Sequence, residues 1–196
     1  MPDIRSRILP LVCVMIFGAA GFLAGCTGQQ TISRVKYYGS YSHRAVAHIV
    51  ADGKMPLAMY GVPFDKDGQQ TLRGNLSMPG WFAPADFVPA GDNEDAQIML
   101  LFNPSRVASA IEICTVPGLA AELSAPGPDR RQGSGNLDIQ AVLCQDGEYL
   151  SRAYASMPVP NGAGDPLFMG NMALLMSTLM PNQAPLQSSG VFSGGP

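Results

Sequence analysis

Apolar and polar positions follow several rhythms along the chain, and each predicts an element. Residues 8–22 form an apolar run of 15, interrupted only by Pro10. After a polar lead, residues 44–51 are rich in Ala, Val and Ile, and 54–61 resume with Leu57, Met59 and Tyr60. Asp52-Gly53 lies between them, and such a dipeptide between apolar runs signals a hairpin because both turn positions favour positive φ. The pair therefore predicts two strands. Ser42 ahead of Val46, Ile49 and Val50 admits a short capped helix as the alternative. Residues 65–77 predict a helix on Leu72 and Leu76, weakened by Gly68 and Gly74 and stopped at Pro79-Gly80. Residues 81–89 combine prolines with Trp81, Phe82 and Phe87, which predicts an extended segment lying across the core. The nearly all-apolar 96–102, closed by Asn103-Pro104, predicts a central strand covered on both faces.

Further along, 110–116 predicts a short strand, and the Pro/Gly-rich 117–136 a surface loop, with one helical turn at 119–123 as an option. Residues 137–144 and 149–157 flank Asp146-Gly147 as a second hairpin. Asp165-Pro166 opens a last helix: Asp suits the cap, and Pro lacks an N–H where the helix has no use for one. Phe168, Met172, Leu175, Met176 and Leu179 share one face of it, and Pro181 ends it. Residues 182–196 are Gln, Ser, Gly and Pro and predict a disordered tail. Together these elements predict an α+β domain: an antiparallel sheet of about five strands, with the 165–181 and 65–77 helices on one face.

The first apolar run is shorter than the ~18–20 residues that cross a hydrocarbon core. Arg5 and Arg7 precede it, and small residues follow it, as in a cleaved signal segment. Leu23-Ala24-Gly25-Cys26 resembles the lipobox of bacterial lipoproteins. The resemblance implies cleavage of residues 1–25, lipid attachment at Cys26 and a membrane anchor on the periplasmic side of a cell envelope. Thr27, in place of the aspartate that retains such proteins at the inner membrane, implies the outer membrane. Residues 26–43 then read as a tether and 44–181 as a single domain.

Without residues 1–25 the chain keeps ten basic and 14 acidic residues, and the only basic doublet is Arg130-Arg131. That is not the basic face a nucleic acid requires. Cys114 and Cys144 form an even pair in an oxidising compartment and read as a disulfide, with two buried thiols as the alternative. They have no C-x-x-C partner of the kind a metal site uses.

Candidate chemistry is sparse. His43 and His48, five apart, are poor co-ligands on a strand or a helix. Ser33-x-x-Lys36 matches one motif of Ser/Lys penicillin-interacting enzymes without its companions. Asp65-x-Asp67-Gly68 starts like a calcium loop but lacks the distal Glu, so helix capping explains it better. The acidic group at 92–95 reads as a solvated turn. Met169, Met172, Met176 and Met180 run down the last helix and pose a choice between Cu(I) ligation by thioethers and adaptable core packing.

From Leu57 onward, the order of landmarks resembles a family of small exported bacterial proteins. The likeness rests on G-x-P-F (Gly61, Val62, Pro63, Phe64) after an apolar strand, F-N-P (Phe102, Asn103, Pro104) after another, Cys114, and Cys144. It continues through D-P before a helix that ends L-x-P (Leu179, Met180, Pro181). The family carries Asn where this chain has Val62, and the resemblance brings no activity with it. The sequence thus points to a lipid-anchored envelope protein without a catalytic constellation, metal set or cofactor, which binds an envelope partner. The alternative is a small-ligand or copper(I) module built on the methionines and the 81–87 aromatic segment.

Overall fold

A computed structural model describes residues 30–91, 94–125 and 135–183. The leader, Cys26, Arg130-Arg131 and residues 184–196 of the predicted tail lie outside them. In chain order the elements are β1 (Thr31–Tyr37), α1 (His43–Ile49), β2 (Lys54–Tyr60), α2 (Lys66–Asn75), β3 (Asp86–Pro89) and β4 (Ala96–Phe102). There follow α3 (Ala110–Thr115), α4 (Leu119–Ser124), β5 (Asn136–Gln145), β6 (Glu148–Pro158) and α5 (Pro166–Leu179).

The six strands form one mixed sheet in the order β1-β6-β5-β4-β2-β3. β4 is internal, as its apolar run requires, and Ile98 to Phe102 are all buried. It pairs antiparallel with β5 and parallel with β2, while β2 and β3 are also parallel. The all-antiparallel expectation is therefore corrected, and so is the first hairpin. Residues 44–51 are not a strand: Ser42 caps α1 by accepting the Ala45 N–H at 3.1 Å, and Val46 and Val50 bury its inner side. The 110–116 segment is likewise a helix, because Ser109 and Glu112 close a reciprocal capping box around its first turn. The segment read as a tether supplies β1, an edge strand on β6. The second hairpin and the Asp-capped helices α2 and α5 are as expected, and within the segment read as a surface loop the optional turn at 119–123 is the helix α4.

Among the described residues, five helices cover the sheet on two faces rather than two helices on one. α1, α2 and α5 cover a large core that includes Leu57, Ile98, Leu100, Ile139, Ala155, Phe168 and Met172. α3 and α4 cover a smaller one built on Met99, Leu101, Val142 and Cys144. Cys114 and Cys144 form a disulfide that fastens α3 to β5.

α5 is tied down at its C-terminal end. The last carbonyls of a helix have no intrahelical donor. Here Tyr37 Oη donates to the Thr178 carbonyl at 2.6 Å, Ser151 Oγ to Leu179 at 2.6 Å, Trp81 Nε1 to Met180 at 2.9 Å and Tyr41 Oη to Pro181 at 2.6 Å. Burial raises both tyrosine pKa values and keeps the phenols protonated as donors. Trp81 is thus a cap on α5 with its ring partly exposed, whereas Phe82 and Phe87 are buried as predicted.

Candidate functional site

The second face of the sheet is only partly covered. Beside α3, where β1, β6 and β5 continue past the helix, lies a cavity of about 180 Å³. Arg34, Arg152, Ala153, Tyr154, Gln140 and the Val107–Ser109 segment line it. Its floor follows from strand alternation: Ala153, Ala155 and Met157 of β6 enter the large core, so Arg152, Tyr154 and Ser156 point the other way. Register places Lys36 opposite Arg152 and Ser33 opposite Tyr154. Cross-strand partners share a face, so Lys36 and Arg152 form a like-charge pair, which opposes sheet formation.

Arg34 stands in the β1 bulge, at φ 53°, between Ser33 and Lys36. A non-glycine residue with positive φ carries strain. Its guanidinium carbon lies 5.7 Å from the Tyr154 ring centroid, within cation–π range. Tyr154 hydrogen-bonds Asp138, and burial first, then that bond and the carboxylate's charge, push its phenol up to about 12 against the opposing pull of Arg34. It is a proton donor throughout the physiological range.

The wall is fixed by Gln140, a buried polar side chain. Its amide donates to the Ala108 carbonyl at 2.7 Å and accepts the Ala108 N–H at 3.2 Å. Among the described residues the one ion pair is Arg106 with Glu112, at 3.9 Å; Arg34, Lys36 and Arg152 take part in none. Arg152 Nε has no exposed surface and no hydrogen-bond partner. Buried donors are normally paired. The site therefore combines strain, a like-charge pair and an orphan donor, with one carboxylate already engaged by a phenol. An anion with several acceptor oxygens would offset the like charges of Lys36 and Arg152.

The other sequence candidates do not line this cavity; Ser33 and Lys36 come nearest, as the β1 register partners of Tyr154 and Arg152. His43 Nε2 lies 3.0 Å from the Trp81 carbonyl and its ring stacks on Phe82 at 4.5 Å, while His48 is exposed on α1. Asp65 caps α2 through the Gly68 N–H at 2.8 Å. Met172, Met176 and Met180 are fully buried in the large core, where thioethers serve as filler. Among the described residues no three His, Cys, Asp or Glu side chains come together. A second hollow of about 680 Å³, beside the 81–87 segment, is lined by Phe82, Met78 and Pro84 with Asp86 as its charged member. It is wider but has no convergent polar groups of the kind that orient a ligand.

The arginine pocket was hard to read from sequence, since Arg34 and Arg152 stand far apart in the chain and meet only through strand pairing. The available signal was the alternation in β6, where Arg152, Tyr154 and Ser156 mark a polar face beside a buried one. The chain matches no protein-family profile, no curated protein and no solved structure.

Proposed function

We propose that this is a lipid-anchored cell-envelope protein whose domain binds an anionic group, carboxylate or phosphate, on another envelope component. Binding rather than catalysis is the reading, and Arg152 carries it: a cation in no ion pair among the described residues, opposite Lys36 and lining a cavity together with Arg34. Two guanidinium groups supply forked donors that suit planar or tetrahedral oxyanions. Tyr154 stays protonated with its O–H engaged by Asp138, so it does not serve as a base near neutral pH, and its ring lies beside the Arg34 guanidinium. The Leu-Ala-Gly-Cys26 resemblance supports the anchor and the outer-membrane, periplasm-facing location. The buried methionines give no support to a copper site.

The test uses protein purified from membranes. Its intact mass should correspond to an acylated chain beginning at Cys26. Calorimetric titration with inorganic phosphate should show binding that weakens about tenfold or more in Arg152→Met, the loss of one charged hydrogen-bond partner. Equal affinity in wild type and variant would remove the pocket from this account. An unmodified chain would remove the anchor.

A further inference from the structure

We infer that the outward face of α5 lies against the lipid surface holding the anchor, an inference that rests on the reading of Cys26 as acylated. The 14 residues of α5 include no charged side chain. Phe168, Met172, Leu175, Met176 and Leu179 occupy its inner side. Leu167, Gly170, Ala173 and Leu174 are exposed on the other. A helix on the surface of a soluble domain normally turns charged and polar residues outward. α2, on the same side of the sheet, does so with Lys66, Asp67, Gln70 and Asn75. α5 turns no charge outward, its polar residues Asn171, Ser177 and Thr178 are only partly exposed, and Leu167 and Leu174, two turns apart on one side, remain 53% and 55% exposed.

The chain's own connectivity names the occupant. Gln30 Nε2 donates to the Asn171 carbonyl at 3.1 Å, midway in sequence between the two exposed leucines. Cys26 precedes Gln30 by four residues, and an extended chain spans at most ~3.3–3.6 Å per residue, so the anchor lies within about 14 Å of Gln30. That reach allows lipid chains on Cys26 to enter the bilayer beside α5. No helix among the described residues is long and apolar enough to cross a membrane. α5, about 21 Å long at 1.5 Å per residue, rests along the surface instead. Its leucines need not hold the protein there by themselves. The acyl chains do that, and the short connection makes contact by α5 effectively intramolecular, so a modest apolar face suffices to set orientation.

Ile111 on α3 provides a matched control: it is 55% exposed, as is Leu174, but belongs to the opposite face of the sheet. The acylated Leu174→Cys and Ile111→Cys variants, each carrying an environment-sensitive fluorophore, would be reconstituted into vesicles of phosphatidylethanolamine and phosphatidylglycerol. A quencher attached to the lipid acyl chains should dim the label at 174 severalfold more than the label at 111. Equal quenching in protein that still floats with the vesicles overturns the docking of α5 and leaves the anchor standing. Failure to float overturns the anchor and this inference with it. A label at 174 that is shielded from aqueous iodide in proportion to protein density, without lipid quenching, assigns the face to a second copy and also overturns it.

Discussion

Gly61 has a φ of 66°, and a Cβ built there would stand 2.7 Å from the Phe102 carbonyl oxygen and 2.9 Å from that of Ser124. Both obstacles are backbone, so neither can turn aside. Phe102 begins the F-N-P motif, and its neighbour Asn103 stands at φ 46°, a region Asn tolerates better than most residues. Asn103 donates its N–H to the Asp138 carbonyl at 2.7 Å, and its Oδ1 accepts the Asp138 N–H at 3.0 Å. Two motifs far apart in sequence thus meet at one junction, where β2, β4 and α4 end and β5 begins. Asp138 is also the partner of Tyr154, which connects this junction to the floor of the arginine pocket. Gly61→Ala should therefore lower unfolding free energy by about 2–4 kcal/mol, from left-handed strain and from crowding against rigid backbone. Urea unfolding checks it: a loss under about 0.5 kcal/mol, the range of ordinary surface substitutions, would show that the junction can yield.

Among the elements, those with local signals were legible in the sequence. Asp146 and Gly147 have φ 52° and 76°, the paired positive values of a two-residue hairpin. The identical dipeptide at Asp52-Gly53 has only its glycine in that region, and it joins a helix to a parallel strand. The dipeptide alone could not separate the two; the competing Ser42 cap and the inward side of Val46 and Val50 decided the matter. β1 was missed because the bulge at Arg34 breaks the alternation between Ile32 and Val35, which pack on the large core, and α3 because a capping box outweighed a short apolar run. α5 was read correctly through Asp165, whose Oδ1 accepts the Leu167 and Phe168 N–H groups at 2.9 and 3.2 Å while Oδ2 accepts that of Asn161 at 3.2 Å. Those backbone donors, Asn161 foremost, hold its carboxyl below the usual carboxylate range. With the folded pKa below the unfolded one, the ionised cap contributes fully above the unfolded value, about 3.9, and its contribution fades as pH falls through the folded value. Asp165→Asn should thus be less stable than wild type near pH 6, and the gap should narrow as pH falls below about 4. Urea midpoints across that range test this; a gap of constant size would rule out the carboxylate's charge as its cause.

At the scale of the molecule, the sheet separates the two proposed tasks. The face covered by α1, α2 and α5 carries the large core and the uncharged helix proposed to meet the bilayer. The other face carries the small core, α3, α4 and the arginine pocket, so a domain lying on α5 would turn that pocket away from the membrane toward a ligand. The separation was not legible from the pattern of apolar residues, which announces burial but not the side of the sheet on which burial occurs. The small face is also the weaker one. α3 and α4 have six residues each, too few to hold helical form without tertiary support. α3 is fastened by the Cys114–Cys144 bond, which spans a sequence separation of 30. On the chain-entropy account, closing a loop of that size stabilises the fold by about 3–4 kcal/mol. α3 continues directly from the Val107–Ser109 wall, so loosening it should widen the pocket as well as destabilise the domain. The Cys114→Ala, Cys144→Ala double variant should melt ~10 °C lower, since each kcal/mol shifts Tm by about 2–4 °C in a domain of this size. It should also bind inorganic phosphate more weakly even at temperatures where circular dichroism shows it folded. If Tm falls and phosphate affinity stays at the wild-type value, the disulfide serves stability alone, and the Gln140–Ala108 pair suffices to hold the wall.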